Sequence, residues 1–332
     1  MATVYLTSAG QPSPRPANFE IERVRTCFEA DRFKVHQLTD DPDAADIIIF
    51  AELGDCAGPL LERIRGHEII RRYRNKTFVF APRYKGVPML PGVYASIPSY
   101  MHHPQRTRSS HYTDVALNEQ IRKLPPWRMT KKQVGSRHYL YSFVGSVWTA
   151  PVRERLAEMP HDQGYFEDTT EKSRLLKESG TDAEWDEYRR HFVETCQRSA
   201  FVVCPRGIGP ATLRLFEAMK MGRAPVILAD DWKRPEGPNW STFSVTVPES
   251  DVARLNEILA PIEPHASEMG RRARQAFEEW FSVEVTFHRI VEWCQSIQDA
   301  RRMSERLLAI PSYLRTLYPS HLKKRFTHLR DR

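Results

Sequence analysis

The residues best suited to chemistry lie in one short turn, 205–212. Arg206 carries a guanidinium, which can bind an anion through two parallel hydrogen bonds. Gly207 and Gly209 lie between two prolines, so the turn cannot continue the apolar segment before it as a strand. A turn that leads into a helix leaves backbone N–H groups unpaired and directs a partial positive charge outward. The pattern predicts an anion site, and phosphate is the usual ligand of such sites.

A strand, a helix and a second strand must position this turn. Residues 201–204 form a short apolar run typical of a buried strand, and 224–228 form another. Pro210 suits the first turn of a helix over 211–221, and Gly222 is a natural stop. Arg214 and Glu217 share one helix face. The sequence has neither a Walker motif nor GxGxxG, so a purely structural β-α-β unit with an Arg214–Glu217 surface pair is the alternative.

The stretch CPRGIGPATLRLFEAMKMGRAPVILADDW, with WSTFSVTVPESDV after it, resembles the signature of exostosin family glycosyltransferases. The earlier blocks DPDAADIIIFAE and YSFVGSVWTAPVRERL occupy places where that family has similar blocks. The resemblance extends over roughly residues 40–300 and is strongest over 201–250. It implies a GT-B architecture, in which two Rossmann-like domains face each other. It also implies an inverting transfer by a single displacement, which requires one base and no covalent nucleophile.

The length of the chain and its alternating strands and helices predict how many domains it has and of which class. A chain of 332 residues suits two domains, each with its own core. Strands that alternate with helices favour an α/β fold with parallel sheets. We predict an N-terminal Rossmann-like acceptor-side domain over 1–135, a nucleotide-sugar-binding domain over 136–300 and a basic amphipathic helical tail over 301–332. Within the second domain, the polar residues 161–183 are expected to form a mobile surface segment.

The donor is expected at the carboxyl ends of the second domain's strands, where ligands bind such sheets. Arg153 is a phosphate candidate, with a solvated first-turn arginine as the alternative. The resemblance implies that Glu217 accepts hydrogen bonds from the ribose hydroxyls, a role that suits an ionised carboxylate. The predicted donor-binding residues are Gly145, Arg153, Arg206, Gly207, Gly209, Ala211, Thr212, Arg214 and Glu217.

The general base should come from the first domain, from a carboxylate or histidine at a strand end. Glu52 follows the apolar segment 47–50 and is the first choice. His102 or the adjacent His103 is the alternative, and each of these residues has a structural role as its competing interpretation. Arg83, which follows another predicted strand, is expected to bind an acidic acceptor.

No metal or other cofactor is expected, because a helix dipole and a guanidinium can stabilise a departing pyrophosphate. Asp41-Pro42-Asp43 fits the Asp-x-Asp pattern of metal-dependent transferases literally, but it precedes a strand as an ordinary loop would. The Asp230-Asp231 pair is interpreted as a solvated loop. Five scattered cysteines without CxxC spacing indicate neither a zinc site nor a disulfide framework.

The formal net charge of +7 favours anionic partners. Nucleic acid is not expected, because the chain lacks a helix-turn-helix pattern or a basic platform interleaved with aromatics.

Neither a secretory signal nor a run of 18 apolar residues is present, which favours a cytoplasmic bacterial enzyme or a chain whose anchor has been removed. Residues 311–332 combine apolar and basic residues and are a candidate for contact with an anionic membrane surface, or else for a docked or frayed terminal helix.

Together these features predict transfer of a sugar from a nucleotide diphosphate, with UDP expected, to a glycan or lipid-linked glycan in bacterial surface polysaccharide synthesis. A GDP-sugar transferase, such as a fucosyltransferase, is the alternative enzyme. A non-catalytic family member that binds glycan or nucleotide is the third hypothesis.

Overall fold

This computed structural model describes residues 1–9, 19–51, 63–82, 88–113, 117–124 and 138–316, with 311–316 as backbone only. Contacts group the chain into two compact units. Unit 1 comprises Met1–Ser110, Lys233–Pro235 and Phe287–Arg332, and unit 2 comprises His111–Trp232 and Glu236–Thr286. The predicted domain boundaries after residues 135 and 300 stay predictions.

Unit 1 is built on a parallel sheet, six-stranded within the described residues, with the order β2-β1-β3-β4-β5-β6. Its central strands β3 and β4 are buried along their whole length, as expected for a parallel sheet covered on both faces. The strands are β1 Thr3–Thr7, β2 Gln37–Leu38, β3 Ile47–Ala51, β4 Thr77–Ala81, β5 Gly92–Tyr94 and β6 Thr107–Ser109.

Before residue 125, the fully described α-helices are α1 Phe19–Ala30, α2 Glu68–Arg72 and α3 Glu119–Arg122. The first two belong to unit 1 and the third to unit 2. The sequence predicts one helix over 60–73, of which 60–62 lie outside the described residues. The described part is interrupted at His67, whose Nδ1 accepts the N–H of Ile69 at 3.3 Å and starts α2 as an N-cap. A 3₁₀ turn over Arg74–Lys76 then leads directly into β4.

Unit 2 is built on a second parallel sheet with the order β11-β10-β9-β7-β8. The predicted α/β class with two Rossmann-like parallel sheets is therefore confirmed. The strands are β7 Tyr139–Gly145, β8 Gly164–Asp168, β9 Ser199–Pro205, β10 Ala224–Leu228 and β11 Val245–Thr246. The helices that follow α3 are α4 Pro151–Glu158, α5 Thr170–Ser179, α6 Asp182–Gln197, α7 Leu213–Lys220, α8 Leu255–Leu259, α9 Ala266–Trp280, α10 Val283–Ala300 and α11 Glu305–Thr316.

The predicted β-α-β unit around residue 206 is present as β9, α7 and β10. All seven residues of β9 are buried, and α7 buries Leu215, Phe216 and Met219. The helix spans Leu213–Lys220, slightly shorter than the predicted 211–221. Gly222 has a φ of 67°, the left-handed conformation that ends a helix readily only at glycine. A Cβ on Gly270 of α9 would lie 2.2 Å from the Gly222 carbonyl oxygen, so α9 packs directly on this stop.

Three sequence-based element predictions need correction. The segment 161–183, expected to be mobile, is regular structure, because it contains β8, α5 and the start of α6. The sequence also predicts a strand over 243–247, but the strand is shorter and covers only Val245–Thr246. It further predicts a single helix over 283–308, where the structure has two helices, α10 and α11, and α11 runs across the predicted start of the amphipathic segment at 311.

Candidate functional site

The predicted anion turn lies at the edge of the unit 2 sheet where the strands end. The parallel strands β7, β9 and β10 end at Gly145, Pro205 and Leu228. The turn that follows β9 reaches α7, whose N-cap Thr212 makes no side-chain capping hydrogen bond. Among the described residues, no hydrogen bond uses the N–H of Gly207 or Gly209. The turn and the uncapped helix N-terminus therefore offer backbone donors to an anion.

Arg206 is fixed beside this turn by Glu249. Its Nε donates to Glu249 Oε1 at 2.7 Å, and its side chain remains 28% exposed. The Glu249 N–H in turn donates to Asp230 Oδ1 at 3.1 Å. Asp230 follows β10, so the Asp230-Asp231 pair, predicted to be solvated, contributes one member that orients Glu249. This chain of contacts holds the guanidinium in place before any ligand arrives.

The Arg153 side chain donates hydrogen bonds to backbone carbonyls in and beside the turn. Its Nε donates to the Arg206 carbonyl at 2.9 Å, and its two terminal nitrogens donate to the carbonyls of Ser146 at 2.9 Å and Pro205 at 3.1 Å. The side chain is only 7% exposed. The solvated alternative is therefore wrong. By binding carbonyls of two strand ends, Arg153 orients the turn, and its predicted contact with phosphate stays a prediction.

Arg214 also turns toward the backbone, since its guanidinium donates to the Val144 carbonyl and lies 4.5 Å from the centre of the Phe143 ring. A Cβ on Gly145 would approach the same guanidinium to 2.2 Å. Glycine at 145 thus makes room for Arg214. The surface Arg214–Glu217 pair of the alternative interpretation is not formed among the described residues, because Arg214 is engaged here and Glu217 is buried.

Glu217 is a buried carboxylate in the second turn of α7, the helix that begins at the anion turn. It is 9% exposed, and its Oε1 accepts the backbone N–H of Asn118 at 3.3 Å. Burial raises the pKa of Glu217 from its usual 4.5, against the opposing effects of the Arg214 charge and the Asn118 hydrogen bond. A buried acceptor with a raised pKa is typical of a functional group, although structural carboxylates share these properties.

The predicted base and acceptor residues are not among those that the structure places at the turn. Glu52 and Arg83 lie outside the described residues, and Glu52 directly follows the end of β3 at Ala51. His102 and His103 hold the turn before β6: Thr107 Oγ1 lies 3.0 Å from His102 Nδ1 and accepts the His103 N–H at 2.9 Å. They therefore lie at the edge where β6 begins. Ligands of parallel sheets bind at the other edge, so this placement argues against His102 as the base, and the assignment of Glu52 stays a prediction.

The Asp-x-Asp pattern forms a structural loop in unit 1. Asp43 pairs with Arg72 at 3.0 Å and accepts the Tyr73 hydroxyl, and Asp41 accepts the Asp43 N–H at 2.9 Å. Within the described ranges, no group of three or more His, Cys, Asp or Glu residues is placed to hold a metal ion. Independence from metal stays a prediction.

Sequence reasoning missed Glu249, which joins the site, and Trp148, which lies in a loop beside it. Glu249 orients Arg206, and its position after the short β11 gave no local signal. Trp148 is 62% exposed and lies in the loop after β7, where the next residue, Thr149, approaches Gly207. Gly145, a predicted donor-binding residue, ends β7, so an aromatic residue three positions after it was the available signal.

Residues 94–262, just over half of the chain, match the family described as the Exostosin GT47 domain. The chain belongs to the exostosin GT47 family. The match includes the signature turn, α7 and Glu249, so the site described above lies inside the family domain. The GT-B prediction requires a pair of Rossmann-like sheets, which the structure contains.

Curated relatives of this family member include plant proteins. A probable glucuronosyltransferase of Oryza sativa subsp. japonica is 38% identical over 104 residues, which is 31% of this chain and 24% of the relative. A probable β-1,4-xylosyltransferase of Arabidopsis thaliana is 40% identical over 80 residues, 24% of this chain and 19% of the relative. The chain thus matches a quarter or less of the length of these two relatives.

Similar solved structures include Anabaena Alr3699/HepE in complex with UDP and glucose, with a TM-score of 0.44 and 10% identity over 89% of this chain and 99% of that one. The glycosyltransferase WaaG, involved in lipopolysaccharide biosynthesis, has a TM-score of 0.38 and 10% identity over 91% of this chain and 100% of that one. Within the described part of this exostosin chain, no helix combines the length and apolar character needed to cross a bilayer.

Proposed function

We propose that this exostosin family member is an inverting glycosyltransferase that binds the diphosphate of a nucleotide sugar at the turn 205–212. The observation that carries the proposal is the uncapped N-terminus of α7 with Arg206 held beside it by Glu249. Both features favour negative charge, and both are arranged before the ligand binds. Membership of a glycosyltransferase family makes a nucleotide diphosphate the matching anion.

The chemistry follows from how charge moves during transfer. As the bond between the sugar and the diphosphate breaks, negative charge grows on the departing phosphate oxygens. Backbone donors and a guanidinium that are already oriented stabilise that charge without reorganising, which lowers the barrier. Arg153 keeps the turn in shape through its three carbonyl contacts. In this proposal the leaving group needs no metal ion.

The remaining roles complete a single displacement. Glu217 accepts the ribose hydroxyls through Oε2, the carboxylate oxygen that does not accept the Asn118 N–H. Glu52, which follows β3, removes the proton of the acceptor hydroxyl, and Arg83 binds an acidic acceptor. The acceptor oxygen then forms a bond to the anomeric carbon on the face opposite to the departing diphosphate, whose bond to that carbon breaks, and the configuration is inverted.

We propose UDP as the donor nucleotide, and glucuronic acid or xylose as the sugars to test first, because the plant relatives are probable glucuronosyl- and xylosyltransferases. A glycan or lipid-linked glycan is the proposed acceptor, in bacterial surface polysaccharide synthesis on the cytoplasmic side of the membrane. The proposed membrane contact through 311–332 rests on the sequence, since residues 317–332 lie outside the described part.

Calorimetric titration with UDP and with GDP, each with and without EDTA, tests the proposal. UDP should bind in the micromolar range, at least about tenfold more tightly than GDP, and EDTA should leave its affinity unchanged. Hydrolysis of UDP-glucuronic acid or UDP-xylose would then identify the sugar. Tighter binding of GDP would support the fucosyltransferase-like alternative. Binding of neither nucleotide would contradict both enzyme assignments.

A further inference from the structure

Unit 1 has a basic cavity where β4 begins. The 3₁₀ turn Arg74–Lys76, the end of α2 and the region where α10 gives way to α11 line an open cavity of about 550 Å³. Its lining includes the cationic residues Arg71, Arg72, Arg74, Lys76 and Arg306. The cavity lies at the edge opposite to the one where β4 ends, so it is separate from the edge at which a parallel sheet binds substrates.

Few acidic groups offset this charge. Asp43 pairs with Arg72 at 3.0 Å, and Lys76 Nζ donates to the carbonyls of Asp43 and Ala45. Among the described residues, Arg71, Arg74 and Arg306 form no ion pair with a carboxylate. These three guanidiniums give the cavity a net positive field. An anion that entered would neutralise charge that the fold itself leaves uncompensated.

Exposed apolar side chains lie close in the chain to Arg306, which lines the cavity. Met303, Leu307 and Ile310 are 53%, 55% and 51% exposed and are close to Arg306 in the chain. Leu307 and Ile310 are three residues apart on α11, so they share one outward face. Large apolar side chains clustered beside basic residues are typical of surfaces that contact a membrane or a partner.

The helix that presents them is anchored to unit 1. Glu305 and Leu308, on the inner face of α11, are 4% and 3% exposed. Glu305 Oε1 accepts from Arg106 at 2.8 Å, and Arg106 also donates to the Met89 carbonyl at 2.9 Å. The side chains of Arg106 and Glu305 are both buried, so their ion pair fixes the orientation of α11 on unit 1. The exposure of Leu307 and Ile310 is therefore a property of a docked helix with a defined orientation.

We propose that this basic-apolar surface, made of Arg71, Arg74, Arg306, Met303, Leu307 and Ile310, docks on an anionic lipid bilayer. Headgroup phosphates would occupy the cavity, and the α11 side chains would enter the boundary between headgroups and acyl chains. A soluble acidic glycan also offers anionic groups, but it has no use for three exposed apolar side chains. The combination of the two features is what favours a bilayer.

Vesicle flotation with the full chain tests the surface, and it does not depend on the proposed transferase activity. Vesicles contain phosphatidylcholine alone or phosphatidylcholine with phosphatidylglycerol. The parent should float only with the anionic vesicles, and less at high salt. Arg71→Gln/Arg306→Gln should weaken partitioning about 20- to 30-fold, since each basic residue near such a surface contributes about fivefold. Leu307→Ser/Ile310→Ser should weaken it by about tenfold or more.

Matched controls lie on unit 2. Lys177→Gln/Arg190→Gln removes the same charge from exposed sites, and Leu175→Ser removes an apolar side chain that is 48% exposed. These variants should float like the parent, and circular dichroism should show that all variants are folded. Parental partitioning of both surface variants would overturn the proposal and assign any binding to residues 317–332. Loss with the arginine variant alone, together with competition by heparin, would also overturn it in favour of an acidic glycan.

Discussion

Glu217 is the residue whose placement is hardest to explain by stability alone. It buries a carboxylate whose pKa burial raises above 4.5, and the described residues give it one hydrogen bond from a backbone N–H. Once ionised, it makes the native state hold a desolvated charge that the unfolded chain exposes to water. A residue that costs stability at neutral pH and lies under a predicted ligand is best understood as serving the ligand.

The variant Glu217→Gln separates the two roles. Glutamine can still accept the Asn118 N–H but carries no charge. A raised carboxyl pKa in the folded state favours the native protein below pH 4.5, and this advantage is lost as pH rises through the folded pKa. The variant should therefore melt at the parent's temperature or higher at neutral pH, and the difference should vanish near pH 4.5. UDP affinity should fall about 10- to 100-fold, because charged hydrogen bonds to the ribose are lost.

Thermal melts across this pH range, paired with UDP titrations at neutral pH, provide the measurement. The matched control is Glu194→Gln on α6, which removes an exposed carboxylate of unit 2 and should change neither the melting temperature nor the UDP affinity. A Glu217→Gln variant that melts well below the parent at neutral pH and binds UDP as the parent does would show that Glu217 is structural only.

At this scale the sequence predicted the turn and its helix, which the structure contains, but only some of the contacts that their residues make. Turn chemistry is local, so Arg206 and the glycines could be assigned from their spacing. The partners of Arg153 and Arg214 are carbonyls of strands far away in the sequence, so spacing could not show that both arginines bind backbone. Glu249 was missed for the same reason, because it meets Arg206 across 43 positions.

Among the elements, the turn after β9 depends on α4 through Arg153. Replacing Arg153 by Ala removes hydrogen bonds to three carbonyls in a side chain that is 7% exposed. Losses of this kind in a buried network should lower the free energy of unfolding by about 2–4 kcal/mol. Arg153→Lys should be intermediate, because an ammonium keeps the charge but lacks the planar fork.

Urea unfolding of both variants measures this effect, with Arg155→Ala on the exposed side of α4 as the control. The Arg155 side chain is 45% exposed; its guanidinium donates to the Glu249 carbonyl at 3.0 Å and lies 4.0 Å from the Glu249 carboxylate, so its loss should cost about 1 kcal/mol or less, well below the loss expected for Arg153→Ala. Parental stability of Arg153→Ala would contradict the structural role. It would return Arg153 to the prediction that it contacts phosphate directly.

The elements predicted best were those with a strong apolar signal. The strands β3, β4, β9 and β10 are buried along their whole length, and their apolar runs were recognised in the sequence. β8 was missed because it is an edge strand whose residues are only half-buried or exposed, and α5 was missed because only Leu176 is buried. An edge strand is held mainly by hydrogen bonds to its neighbour, and a helix with one buried residue has little apolar periodicity, so neither gives a clear signal in the sequence.

At the scale of the whole molecule, the family match covers one part of the chain and leaves the rest of unit 1 outside it. The match over 94–262 includes the last strand of unit 1 and most of unit 2. The anion turn belongs to that shared part. The basic-apolar surface lies outside the matched residues, in 71–74 and 303–310, so its proposed membrane contact rests on this chain's own residues and not on the family match. The net charge of +7 is consistent with anions at both places.

The most direct test of the central claim uses amide resonances of the isotope-labelled protein. Two-dimensional NMR spectra would be compared on adding UDP and on adding uridine, which lacks phosphates. We predict that the amides of Gly207 and Gly209 shift with UDP but not with uridine, and that Arg206→Ala weakens this response. Equal shifts with uridine, or a UDP response confined to other residues, would contradict a diphosphate bound at the start of α7.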